Sequence, residues 1–273
     1  MVSREILRGT HPAIARFEPL ESRRLFAGDV SVFLDRSGNL IVRGDGAANG
    51  ILVDKAGEFS IAGVDAGGAP TRVNGVANGD VRLPVTGEGD VRLYLGGGDD
   101  VVDVGTRTDS VDFPDDLEIY AGDGDDRVTT IGDTNIADDL EIASGAGNDN
   151  IRVISTEIED DLSVLAGDGD DTVQVYGSFA DDVLIATGAG RDAVGIWFVD
   201  VLGSRVFGPV HIRGGTLIDL GGDDDVLALV DSDFDGAFHA NGAGGTDTLA
   251  QRGNTFGRRP VFLRFDRRDP APT

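Results

Sequence analysis

The chain alternates short apolar stretches with polar residues, and glycine-rich turns separate the stretches. Counted from the first Gly of each turn, apolar residues recur at fixed offsets. Before the turns, two columns hold Val91, Leu117, Leu140, Leu162 and Val183, and Leu93, Ile119, Ile142, Val164 and Ile185. After them, two columns hold Val102, Val128, Ile151, Val173 and Val194, and Val104, Thr130, Val153, Val175 and Ile196. This period of two is typical of strands with one buried face.

The turns themselves repeat along the chain. They read GGGDD, GDGDD, GAGND, GDGDD and GAGRD from Gly96, Gly122, Gly145, Gly167 and Gly188, with looser copies from Gly221 and Gly242. One unit of about 22 residues cannot bury its apolar face alone, whereas stacked units bury a continuous core. The pattern therefore predicts an all-β fold, a right-handed parallel β-helix with coils of about 22 residues. A fifth apolar column predicts a short third side: Phe113, Ile136, Ile158 and Phe179.

The chain divides into four predicted parts. Residues 1–27 form an export-like, sorting-like or disordered segment, and residues 28–80 form a hairpin-like N-terminal cap with an imperfect first coil. Residues 81–251 carry the solenoid repeats, and residues 252–273 supply a C-terminal cap strand over 260–268 and a basic tail. The longer step between Gly188 and Gly221 predicts an outward excursion or an enlarged coil.

Charge and composition narrow the functional classes. The formal net charge is −26, and the acidic residues are concentrated between the two basic ends. Such a surface repels phosphate backbones, so nucleic acid is not an expected partner and cations are. No apolar run approaches the length of a membrane span, so no membrane insertion is expected. The absence of Cys excludes disulfides, thiolate metal sites and thiol nucleophiles.

The turns also match a known calcium-binding consensus, G-G-x-G-x-D-x-U-x, as at Gly122, Gly124, Asp126 and Val128. Over roughly residues 90 to 250 the chain resembles the hemolysin-type, repeats-in-toxin family. The resemblance implies Ca²⁺ held between stacked turns by Gly carbonyls and Asp carboxylates. The implied site residues are Gly98, Asp99, Asp100, Gly124, Asp125, Asp126, Gly147, Asn148, Asp149, Gly169, Asp170, Asp171 and Asp192. The family has such turns every nine residues, whereas this chain has one per coil, so one column of sites is expected.

Electrostatics favours a cation independently of the resemblance. Carboxylates stacked about 4.8 Å apart repel by roughly 1 kcal/mol in water and about 3 to 4 kcal/mol at an effective dielectric near 20. A second acidic column lacks the glycines and does not match the consensus: Asp115-Asp116, Asp138-Asp139, Asp160-Asp161 and Asp181-Asp182. The alternative for both columns is that Asp and Asn simply favour turns, with no metal bound.

Two further features bear on function. Tyr176 and Trp197 stand at the same distance from the first Gly of their turns, so they are predicted to be neighbours one coil apart. They either belong to a hydrophobic corner or form a sugar-stacking platform. Residues 17–27, FEPLESRRLFA, resemble the LEPR-XLL-type segment of large planctomycete surface or exported proteins, which implies export. The alternative for that segment is an ordinary amphipathic stretch.

These observations together predict a non-enzymatic, calcium-binding and calcium-stabilised module, extracellular or on the cell surface, with a structural or adhesive role. Its expected partners are calcium ions and cell-surface polysaccharide or matrix. The rival hypothesis, a polysaccharide lyase or glycoside hydrolase, rests on analogy of fold. A lyase would need a basic proton acceptor, and the only Lys is Lys55, within the predicted cap.

Overall fold

The structure is a computed structural model that describes residues 28–56, 58–83, 89–106, 111–132, 134–197 and 209–270. Every regular element in these ranges is a strand. The ranges contain no helix of the length and apolarity that crossing a membrane requires. The export-like segment 1–27 and the excursion that follows Trp197 lie outside the described residues, so both stay predictions.

Nine short strands precede the first complete coil. Strands β2 and β3 pair in parallel with that coil and form an incomplete coil below it. Strands β1, β4 and β9 add antiparallel pairings, which is the predicted hairpin-like cap. The strands are β1 (Asp29–Leu34), β2 (Leu40–Arg43), β3 (Gly50–Ala56), β4 (Glu58–Gly63), β5 (Asp65–Ala66), β6 (Ala69–Pro70), β7 (Arg72–Val73), β8 (Val76–Ala77) and β9 (Asp80–Leu83).

Seven coils follow, and each contributes one strand to each of three sheets. Sheet 1 contains β10 (Val91–Gly97), β13 (Leu117–Asp123), β16 (Leu140–Ala146), β19 (Leu162–Asp168), β22 (Val183–Ala189), β25 (Thr216–Asp219) and β28 (Phe238–Asn241). Sheet 2 contains β11 (Val101–Val104), β14 (Arg127–Thr130), β17 (Asn150–Ile154), β20 (Thr172–Tyr176), β23 (Ala193–Trp197), β26 (Val226–Val230) and β29 (Thr248–Arg252). Sheet 3 contains β12 (Asp112–Phe113), β15 (Thr134–Ile136), β18 (Thr156–Ile158), β21 (Phe179–Ala180), β24 (His211–Ile212), β27 (Asp233–Phe234) and β30 (Thr255–Phe256).

The coils stack in parallel and in register, as the repeat predicts. Leu117 lies opposite Leu140 in sheet 1, and Val128 lies opposite Ile151 in sheet 2. The four predicted inward columns are buried along the described stack. Burying one Val, Leu or Ile side chain contributes about 1.5 to 3 kcal/mol, so these columns supply the main driving force for folding.

The third side departs from the prediction at one position. Ile158 is buried, but Phe179 is 44% exposed and lies opposite Glu157, while Ala180 takes the inward position. The cause is a corner one residue shorter: Glu159, Asp160 and Asp161 in one coil are replaced by Asp181 and Asp182 in the next. Counting back from the glycine turn therefore assigned the wrong residue to the core.

The C-terminal strand predicted over 260–268 is wrong in its extent. The chain turns at Arg264, whose φ is 56°, and forms two strands, β31 (Val261–Leu263) and β32 (Arg267–Pro270). They pair with β28 and β29 and continue sheets 1 and 2 for an eighth, incomplete coil. The expected glycine signal of a corner is absent here, which explains why the sequence pattern missed it.

The corner between sheets 1 and 2 depends on glycine at particular positions. Gly145 has φ of 109°, and a Cβ added to it would overlap the carbonyl oxygen of Gly122 in the preceding coil. An L-residue is strained at this φ, and the clash is with backbone that cannot move away. Gly222 occupies the same kind of corner, but a Cβ there meets nothing within 4 Å.

We predict that Gly145→Ala destabilises the protein by at least about 2 kcal/mol, because it combines positive φ with backbone overlap. Gly222→Ala is the matched control and should change stability by less than about 0.5 kcal/mol. Urea unfolding followed by circular dichroism measures both. Equal effects of the two substitutions would contradict the close stacking of this corner.

Candidate metal-binding site

The last Asp of each glycine turn points into the corner between sheets 1 and 2. These residues form a continuous inner row, one per coil, and are only 1 to 2% exposed. The row comprises Asp100, Asp126, Asp149, Asp171, Asp192, Asp225 and Asp247. The coil spacing brings each carboxylate next to its equivalent, as the repeat predicts.

One carboxylate oxygen of each inner-row Asp accepts a backbone hydrogen bond from the preceding coil. The Asp126 N–H donates to Asp149 Oδ1 at 2.8 Å, and the Asp149 N–H donates to Asp171 Oδ1 at 2.8 Å. The same bond joins Asp192 to Asp225 at 2.8 Å and Asp225 to Asp247 at 3.0 Å. The inner row therefore replaces the sheet hydrogen bonds where the strands end.

The other carboxylate oxygen of every inner-row residue is buried and has no hydrogen-bond partner of good geometry among the described residues. The atoms are Oδ2 of Asp100, Asp126, Asp149, Asp171, Asp192, Asp225 and Asp247. Asn49, Ser144 and Thr187 lie near enough to lower the pKa of Asp100, Asp149 and Asp192, but the Ser144 and Thr187 hydroxyls donate to backbone carbonyls. A buried polar atom without a partner costs about 1 to 3 kcal/mol, more when it is charged. A proton or a cation at each of these oxygens would remove this cost.

The pKa values are consistent with protonation of these oxygens. Burial, partly offset by the backbone hydrogen bond and reinforced by neighbouring carboxylates, raises the pKa of four inner-row members to about 7: Asp100, Asp126, Asp171 and Asp225. Burial likewise raises the pKa of the other three: Asp149, Asp192 and Asp247. Without a cation, Asp100, Asp126, Asp171 and Asp225 are thus partly protonated near neutral pH.

An exposed outer row precedes the inner row by one residue. It contains the predicted ligands Asp99, Asp125, Asn148 and Asp170, followed by Arg191. Its hydrogen bonds run in the opposite direction: Asn148 N–H donates to Asp125 Oδ1 at 2.7 Å, and Asp170 N–H donates to Asn148 Oδ1 at 2.9 Å. Arg191 lies 2.6 Å from Asp170, and its backbone and side-chain hydrogen bonds lower the pKa of that carboxyl.

The four predicted carbonyl ligands lie in the same corner. Gly98, Gly124, Gly147 and Gly169 all have positive φ. A Cβ added to Gly124 would overlap the Gly98 carbonyl oxygen, and one added to Gly147 would overlap that of Gly124. The glycine carbonyls are therefore stacked from coil to coil beside the two acidic rows.

The sequence reasoning missed two members of the inner row, Asp225 and Asp247. Asp225 stands four residues after Gly221, the same offset as Asp192 from Gly188. That offset was a usable signal, but the loose turn GGDDD hid it because Asp223, with φ of 72°, replaces the third-position glycine. Asp247 stands five residues after Gly242, because its turn has one additional residue. Counting four residues from the first Gly therefore does not identify it.

The opposite corner, between sheets 3 and 1, brings carboxylates still closer together. Three groups have ligand oxygens within 4.8 Å of one another: Asp90, Asp116 and Glu118; Asp115, Asp116 and Asp138; and Asp138, Asp139 and Asp160. The sequence predicts this Asp-Asp column as an acidic corner that does not match the calcium-binding consensus, because it lacks the glycines. Burial and neighbouring carboxylates raise the pKa of Asp138 and of Asp160.

Arginines neutralise both ends of the Asp-Asp column. Arg92 lies 2.7 Å from Asp90 and 2.8 Å from Glu118, so a guanidinium already serves the first group. Arg213 lies 3.3 Å from Asp181 at the other end. Between them, no Arg or Lys of the described residues pairs with Asp138 or Asp160. The middle of the column is thus the part that lacks positive charge.

Fold and corners together define a class: a parallel β-solenoid whose two acidic corner columns have oxygen chemistry suited to hard divalent cations. Comparison with protein-family models, with curated proteins and with solved structures gave no match to this chain.

The inner row predicts a specific pH dependence in chelator. Four of its members have folded-state pKa values of about 7, above the ordinary 3.8, so their stabilising contribution is complete at low pH and is lost as pH rises through about 7. We expect the melting temperature in chelator to fall between pH 5 and pH 8. The double variant Asp126→Asn, Asp171→Asn should flatten this dependence, since Asn retains the Oδ1 acceptor.

Glu157→Gln, an exposed carboxylate on sheet 3, is the control for that measurement. It should leave the pH dependence unchanged. A melting temperature that rises from pH 5 to pH 8 in chelator would contradict the protonated inner row.

Proposed function

We propose that this protein is a calcium-stabilised, non-enzymatic β-solenoid module, extracellular or on the cell surface, with a structural or adhesive role. The observation that carries the calcium proposal is the row of seven buried carboxylates, each with an unpartnered Oδ2. Seven such atoms in consecutive coils are not an isolated defect of packing. They form a continuous column that calls for positive charge.

Calcium suits this corner better than other common divalent cations. It accepts six to eight oxygens in irregular geometry, whereas Mg²⁺ demands a regular octahedron. The residues that would hold it are the inner-row carboxylates Asp100, Asp126, Asp149, Asp171 and Asp192, with the outer row and the carbonyls of Gly98, Gly124, Gly147 and Gly169. When bound, the ion would neutralise like charges that the stacking holds together.

Protons compete with calcium for the same oxygens. With pKa values near 7, part of the inner row is protonated at neutral pH in the absence of metal. Calcium binding must displace these protons, so its affinity should increase with pH. The solenoid would then be held by protons in acidic, calcium-poor surroundings and by calcium at higher pH.

The surface location is supported by composition and by one resemblance. The chain has no Cys and so cannot use disulfides, but hard cations can supply the additional stability that disulfides give other exported proteins. The similarity of residues 17–27 to an export-associated segment points to the same location. The net charge of −26 also fits a calcium-rich exterior better than a partner with phosphate groups.

We do not favour the rival lyase or hydrolase hypothesis, because no observation specifically supports it. Lys55 donates to the Asp112 carbonyl at 2.7 Å and lies over the Phe59 ring, so its ammonium group is already engaged. Tyr176 and Trp197 are neighbours one coil apart, as predicted, but they meet edge to face at 70°. They therefore do not present the aligned ring faces of the sugar-stacking platform considered for them.

Thermal melts with and without calcium test the proposal. At pH 7.5 we expect calcium to raise the melting temperature, with each site contributing about 2.7 kcal/mol at a hundredfold excess over its dissociation constant. Asp149→Asn should reduce the number of bound ions measured by equilibrium dialysis and reduce the calcium-induced shift. Coincident curves in calcium and in chelator would reject the calcium role.

Two further variants locate the ions. Asp138→Asn removes the shared member of two groups in the Asp-Asp column and tests that corner separately. Glu157→Gln serves as the exposed control and should leave both stoichiometry and melting shift unchanged. If Asp138→Asn abolishes the shift while Asp149→Asn does not, calcium binds at the Asp-Asp column and the inner row is held by protons alone.

A further inference from the structure

The outward face of sheet 1 changes character from coil to coil, unlike the buried columns. One outward column runs Arg92, Glu118, Glu141 and Ser163, and its neighbour runs Tyr94, Tyr120, Ala143 and Leu165. These positions are exposed or half-buried, so packing does not dictate their identity. A local pattern on this face therefore requires another explanation.

Tyr94 and Tyr120 form a flat aromatic stack on this face. Their ring centroids are 5.0 Å apart, and the ring planes are inclined by only 4°. Parallel stacking at this separation is one of the arrangements that aromatic pairs favour, and the separation matches the coil spacing. One face of the Tyr120 ring is therefore turned towards Tyr94 in the preceding coil.

The aromatic stack ends at Tyr120, which is half-buried. Its neighbour in the next coil is Ala143, whose methyl group is too short to cover a phenol ring, and the coil after that presents Leu165 at 39% exposure. Two coil spacings make the distance between the Tyr120 and Leu165 rows roughly 9.6 Å. A third ring that continues the stack by one coil spacing of about 4.8 Å would lie over Ala143, with one further spacing of about 4.8 Å to the Leu165 row, so the slot accommodates one ring.

Polar groups line one side of this slot. Tyr120 Oη donates to Glu118 Oε2 at 3.2 Å, and Glu118 is held by Arg92 Nε at 2.8 Å. Glu141 lies opposite Glu118 in the next coil, beside Ala143. Burial and these two glutamates raise the pKa of Tyr120, so its hydroxyl remains a donor. The other side is the row of corner glycines, Gly122 and Gly145, which has no side chains to obstruct a long ligand.

We propose that the slot formed by Tyr120, Ala143 and Leu165 binds a pyranose ring of an uncharged polysaccharide. The apolar face of the sugar stacks on Tyr120, and its hydroxyls donate to Glu118 and Glu141. Anionic sugars are excluded by these carboxylates and by nearby Asp90 and Asp116. The inference rests on the adhesive part of the proposed function and names its ligand class, but it does not depend on calcium.

Calorimetric titration of the calcium-loaded full chain with uncharged oligosaccharides, cellotetraose and chitotetraose, tests the proposal. Oligogalacturonate is the anionic comparison and should not bind. Tyr120→Ala should weaken binding by about tenfold through loss of the stacking surface. Ala143→Leu fills the slot without removing any polar group and should abolish binding.

Ala186→Leu is the matched control, because Ala186 belongs to the same outward column two coils beyond Ala143. It should bind the oligosaccharides as the native chain does. Calcium-induced melting shifts of all variants are measured in parallel, so that failure of the calcium proposal is distinguished from failure of this one. Equal effects of Ala143→Leu and Ala186→Leu, preferential binding of oligogalacturonate, or binding of aromatic peptides without oligosaccharides would overturn the proposal.

Discussion

The fixed spacing between stacked coils is the constraint on which this structure depends. Because the coils pair in parallel and in register, each residue lies beside its equivalent in the next coil. This arrangement is stabilising for apolar residues, since a repeated Val or Leu becomes a continuous buried column. It is destabilising for carboxylates, because like charges are held about 4.8 Å apart and cannot separate.

The glycine corner partly resolves this conflict by using the carboxylates as hydrogen-bond acceptors. At each turn, two consecutive backbone N–H groups donate in opposite directions along the stack. The N–H of the inner-row residue donates to the inner-row carboxylate of the next coil, as from Asp126 to Asp149. The N–H of the outer-row residue donates to the outer-row carboxylate of the preceding coil, as from Asn148 to Asp125. Oδ1 of Asp149 is satisfied in this way, but its Oδ2 is not. The hydrogen bonds that fix the turn also fix the positions of the buried charges. The stability of the fold therefore depends on whether protons or cations neutralise the carboxylates in this corner.

The sequence predicts the coils and the inward columns because a period of two is a direct consequence of strand geometry. It fails where the number of residues in a corner changes, as at Phe179, and where a non-glycine residue adopts positive φ, as at Arg264 and Asp223. The acidic residues of the site are also predictable from the turns, except beyond Gly221. The direction of their hydrogen bonds, and the Arg92 guanidinium in one carboxylate group, depend on side-chain geometry that no repeat encodes.

Repetition also indicates where recognition can be encoded in such a fold. Inward positions must repeat, since each must fit the column above and below it, and a partner cannot contact them. Outward positions are free of this demand, so a local break in their pattern is informative. Ala143 between Tyr120 and Leu165 is such a break, because a larger residue there would fill the outward column without disturbing the core. Specificity in this molecule is therefore expected on the faces, while the corners provide the stability that keeps those faces aligned.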